Sequence, residues 1–89
     1  MTVEATLSER QTNYGDFTDN AIVAQQLKDI LRAAPLWKTC PFWAKQAMDV
    51  ICDKLSRIVA GKNPLYKDNW HDIQGYAKLA EERCEGESL

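Results

Sequence analysis

The chain has 89 residues, room for one small domain, and it is 45% hydrophobic, 27% charged and 9% aromatic. Those fractions describe a folded globular chain and exclude disorder. Eleven basic against thirteen acidic residues give a net charge of −2, which argues against a whole-chain electrostatic grip on DNA or on an anionic membrane.

Three cysteines, Cys40, Cys52 and Cys84, are odd in number and widely spaced, so they read as reduced thiols rather than a disulfide framework. With His71 as the single histidine, a four-ligand zinc site within one chain is not expected. No basic region leads into an apolar run at the N-terminus, and no apolar stretch approaches the ~20 residues that span a bilayer. The expected location is a reducing cytoplasm.

In chain order, residues 1–17 show no sustained apolar period and read as an arm, frayed at first and then an ordered lead-in through Tyr14-Gly15-Asp16-Phe17. Thr18 or Asp19 can cap a first helix whose Ala21, Ala24, Leu27, Leu31 and Ala34 recur at three- and four-residue steps. Pro35 stops it. A second helix opens at Thr39 or Cys40 with Pro41 in its first position. It carries Ala44, Ala47, Met48, Ile51, Leu55, Ile58 and Val59 on one stripe and ends at Gly61, a candidate left-handed C-cap.

Asn63-Pro64-Leu65-Tyr66 forms a turn, after which Asp68 or Asn69 caps a third helix bearing Trp70, Ile73, Ala77, Ala80 and Cys84. The expected architecture is all-α: three helices over roughly 19–34, 41–60 and 69–83 within a domain of residues 18–86, followed by a loose tail at 87–89. A thin core, together with Trp37, Phe42 and Trp43 at the first connection, points to a homo-oligomeric bundle.

Two polar rows stand out. Asp49, Asp53 and Arg57 follow at four-residue steps on the second helix, and Asp68, Asp72 and Tyr76 on the third, so each row shares one helical face. Facing carboxylates could hold magnesium, with Lys54 and Arg57 meeting substrate phosphates. Equally, Asp53 and Arg57 can form an ordinary helix pair while Asp68 caps and Asp72 complements the helix dipole. Gly75 inside a helix costs ~1 kcal/mol, which calls for a compensating close approach by a ligand or another backbone. Trp70 reads as a core anchor and His71 as exposed. Tyr14 either clasps the arm over the bundle or stacks on a base in a pocket flanked by Glu9 and Arg10. No phosphate-binding glycine loop, Gly-x-Ser-x-Gly or His-Glu-x-x-His is present.

Glu9-Arg10, Tyr14-Gly15-Asp16-Phe17, Asn20, Lys54-x-x-Arg57 and Asp68-x-Trp70-x-Asp72-Ile73-x-Gly75-Tyr76 together resemble a family of small phage- and prophage-encoded helical proteins of unassigned function. The same order is similar to phage nucleotide-modification-associated domains and, more distantly, to the MazG-like all-α nucleoside triphosphate pyrophosphohydrolases. The hydrolases carry Glu-x-x-Glu followed by Glu-x-x-Asp; the counterparts here are Asp49, Asp53, Asp68 and Asp72 at four-residue spacing. The resemblance implies a phage-type accessory protein without a cofactor that binds a nucleotide-like anion or a host protein through Tyr14, Lys54, Arg57, Asp72 and Tyr76. Its alternative is a magnesium-dependent pyrophosphohydrolase using those four aspartates. A purely structural or interaction module is the third reading.

Overall fold

The structure, a computed structural model, describes residues 2–86, the side chains of 10–14 excepted. Four α-helices, α1 (Val3–Tyr14), α2 (Phe17–Ala33), α3 (Phe42–Ala60) and α4 (Lys67–Gly86), are joined by short connections, one of them a 3-10 turn at Trp37–Thr39. No strand occurs among the described residues. The all-helical class expected from the periodicity is present; the count of three is one too few. The segment read as an arm is α1, started by Thr2, whose hydroxyl accepts from the Ala5 N–H at 3.1 Å. Its apolar side chains Val3 and Leu7 are mostly exposed, so tertiary burial leaves no apolar period for a sequence reading to find.

The remaining helix ends shift by a few residues. Asp16, not Thr18 or Asp19, caps α2, accepting from the Asp19 N–H at 3.3 Å. Ala34, before Pro35, leaves the helix in extended conformation. Pro41 is the N-cap of α3 rather than its first helical residue. Gly61 ends α3 at φ −88°, so it is extended and not left-handed. In the turn, the Asn63 side chain accepts from the Leu65 N–H at 3.1 Å, and the Trp70 indole donates to the Pro64 carbonyl at 3.3 Å. Trp70 is 48% exposed and pins that turn instead of anchoring the core.

α2 and α4 both pack along α3 but scarcely on each other, and α1 leans on α2. The molecule is accordingly elongated, 45 × 25 × 25 Å. Three helices laid side by side form a layer rather than a closed bundle. Among the described residues the buried apolar set is small: Ala24, Ala47, Cys52 and Ile58. Ser56 and Asn69 are the most deeply buried side chains. Phe42, expected in a cluster with Trp37 and Trp43, is 85% exposed, while the two tryptophans are half-buried. Lys45 lies over the Trp37 ring at 5.9 Å from its centre. No helix among the described residues is long and apolar enough to cross a membrane.

Candidate functional site

The site is built at a corner. Gly15 turns the chain from α1 into α2 at φ +77°, a conformation that side chains other than glycine rarely adopt. A Cβ there would lie 2.7 Å from Gly61 Cα, so the corner is pressed directly onto the C-terminal end of α3. Beside this contact, between α2 and α3, lies a cleft of about 430 Å³. Small side chains hold it open: Ala21 and Ala24 on α2, and Ser56 on α3, whose hydroxyl donates to the Asp53 carbonyl at 2.7 Å. Leu7 and Phe17 supply apolar wall; Asp16, Asn20, Gln25, Asp53 and Arg57 supply polar wall.

Ion pairs stitch the flanking seams. Lys28 of α2 meets Asp53 of α3 at 2.8 Å, and Arg32 meets Asp49 at 3.4 Å. Lys54 meets Asp72 of α4 at 2.9 Å. The hydrogen bond from Lys54 holds the Asp72 carboxyl below the ordinary aspartate range, assisted by the charges of Lys54, His71 and Arg57. Arg57 therefore acts electrostatically on the α4 seam while lining the cleft on the α2 side. Burial, reinforced by Asp49 and Asp53, pushes the Cys52 thiol up and keeps it protonated.

The residues singled out in the sequence fall into three places. Asp53 and Arg57 line the cleft with Asp16, Phe17 and Asn20 of the N-terminal motif, which joins two motifs some forty residues apart. Lys54 and Asp72 pair across the α3–α4 seam, and Tyr76 follows Asp72 one turn later on α4, partly exposed. Asp49 is held by Arg32, and Asp68 lies in the first turn of α4, one residue inside the helix instead of at its cap. Tyr14 ends α1, and its side chain lies outside the described residues. Among the described residues no three His, Cys, Asp or Glu side chains gather as a metal site.

Gly75 has nothing within 4 Å of where a Cβ would stand, so no backbone within the chain makes the close approach expected there. Lys28, Gln25 and Ser56 were missed by the sequence reading. The signal for Lys28 was present: it follows the buried Ala24 by four residues and so faces α3.

Among the described residues the fold and the cleft define a small all-helical protein with a layered helix core and a mixed polar and apolar cavity. Residues 2–84 match the family described as "Domain of unknown function (DUF6378)", and the chain belongs to that family. No curated protein and no solved structure matches it.

Proposed function

We propose that the protein is a non-enzymatic binding protein for an anionic, nucleotide-like small molecule, in the accessory role of the phage proteins it resembles. The supporting observation is the cleft beside the Gly15 corner. Its volume falls in the range of small-molecule pockets, with apolar walls and a few convergent polar groups. Among the described residues Arg57 is the cationic side chain in its lining, and a guanidinium has five donors, enough to serve protein groups and a phosphate together. Lys28 offsets the carboxylate of Asp53, and the Asp16 carboxylate caps α2, so the acidic lining is neutralised or engaged. Asn20 and Gln25 offer amide donors and acceptors for the edge of a base.

A thermal-shift panel of nucleoside mono-, di- and triphosphates against the uncharged nucleosides, with and without magnesium, tests this reading. A ligand at about a hundred times its Kd adds about 2.7 kcal/mol to the folded state. For a domain of this size that is a rise in Tm of many degrees. The rise should appear with nucleotides, be absent with nucleosides, and vanish in Arg57→Ala. A flat panel refutes the assignment. Pyrophosphate release with magnesium that disappears in Asp72→Asn would install the hydrolase in its place.

A further inference from the structure

The layer of α2, α3 and α4 has two unlike sides. On α3, Asp49 and Asp53 point to α2, whereas Lys54 points to α4. Helical spacing puts α2 and α4 on opposite flanks of α3, leaving two open strips between them. One strip carries Arg57 and opens into the cleft. The other carries Ala44, Met48, Ile51, Leu55 and Val59.

The flanking helices continue this second strip. On α2, Ala21 and Gln25 line the cleft, so Val23, Leu27 and Ile30 project from the far side of the layer. On α4, Asp72 faces the cleft side through Lys54, so Trp70, Ile73 and Ala77 project from the far side as well. The result is one continuous apolar face across three helices. Ile30 is 69% exposed, Val59 71% and Trp70 48%; Met48, Ile51, Leu55 and Ile73 are half-buried.

We propose that this face is covered by a second copy of the chain, packed layer on layer about a two-fold axis, with the two clefts on the outer sides. Area supports the occupant. A compact monomer of 10.1 kDa exposes about 5,300 Å². This chain exposes 6564 Å². α1 contributes to that excess, and so does the open side of the layer. A standard dimer buries about 800 Å² per partner, well within the difference. An isologous contact needs one self-complementary patch, and an apolar face that excludes the ion-paired side chains of both seams is such a patch. The surface differs from the Trp37, Phe42 and Trp43 cluster expected from the sequence: Phe42 lies in register with Asp49, on the α2 flank.

Sedimentation of the full chain at high micromolar concentration should give twice the single-chain mass. Ile30→Glu and Val59→Glu, at positions already exposed in one chain, should each give the single-chain mass with the helical circular dichroism retained. The milder Ile30→Ala and Val59→Ala, which add no charge, should weaken the dimer by about tenfold or more. Phe42→Glu should leave the dimer intact, and the nucleotide-induced rise in Tm should survive in every monomeric variant, since the cleft lies on the other side. A wild-type chain of single mass overturns the proposal. So does a dimer indifferent to both alanine variants, or one lost in Phe42→Glu alone.

Discussion

The seams on the two flanks of α3 use the same device and end differently. In each, a lysine stem lies along the helix packing, 13% exposed for Lys28 and 15% for Lys54, and the ammonium reaches an aspartate that is about two-fifths exposed, Asp53 and Asp72. The α3–α4 seam runs closed past the buried Asn69. The α2–α3 seam opens into the cleft, because Gly15 presses the α1–α2 corner on Gly61 and Ala21, Ala24 and Ser56 are too small to fill the space behind it. Charge pairing thus aligns both seams, and side-chain size at one end decides which of them holds a cavity.

The severest way to break this contrast is at the corner. Gly15→Ala must place a side chain at φ +77° and drive a Cβ into Gly61. Left-handed strain and overpacking each cost about 1–3 kcal/mol. The variant should lose about 3 kcal/mol in urea denaturation, a large fraction of the stability of a chain this small. It should also lose ligand binding at temperatures where it remains folded. A loss below about 0.5 kcal/mol would mean the corner does not rest on α3.

The two lysines sharpen the comparison. Lys28→Met and Lys54→Met should each cost less than about 1 kcal/mol, since both partner aspartates are substantially exposed. Their functional effects should differ. Lys28→Met leaves the Asp53 carboxylate uncompensated in the cleft and should weaken nucleotide binding, read from the thermal shift. Lys54→Met removes a charge from the closed seam and should alter binding much less. Equal effects on binding would place the ligand outside the cleft.

Acid tests the α3–α4 seam. The carboxyl of Asp72 titrates below the ordinary aspartate range in the folded chain because Lys54 donates to it. A depressed folded pKa contributes stability that is fully present above the unfolded value and is lost as pH falls through the folded one. Side-chain carboxyl NMR should show the low midpoint for Asp72, and Lys54→Met should move it upward toward the ordinary value.

Much of this was legible from the sequence, for physical reasons. α2 and α3 carry long apolar stripes, so the periodicity of Ala24, Leu27 and Leu31, and of Ala47, Ile51 and Ile58, marked them. Among its described side chains α1 buries almost nothing, and helix-forming residues such as Glu4, Ala5 and Leu7 without an apolar face carry little pattern. Of the candidate site, Arg57 and Asp53 were visible as spaced polar residues and Asn20 as one of the residues that carry the resemblance, and the structure brings them to one cleft with Asp16 and Phe17. The face that Lys28 shares with Ala24 was readable, but its pairing and that of Arg32 were not, because both reach α3 from another helix and sequence spacing reports only neighbours on the same one. The second apolar strip was read as a single core stripe; that α2 and α4 lie on opposite flanks of α3 is a property of topology.

The smallest expected effect lies at the other glycine. Gly75 sits inside α4 with nothing within 4 Å of a Cβ position, and glycine in a helix interior costs ~1 kcal/mol relative to alanine. Gly75→Ala should therefore stabilise the chain by about 0.5–1 kcal/mol, partly by restricting the unfolded state, and raise Tm by about 2–8 °C. It should leave both dimer mass and nucleotide binding unchanged, since Gly75 lies off the apolar face and outside the cleft. The same substitution at Gly15 and at Gly75 thus has opposite signs, set by the space each Cβ meets. A Gly75→Ala variant that gains stability but loses either association or binding would show that a partner or ligand approaches the outer side of α4, and would move the functional surface from the α2–α3 seam to that outer side.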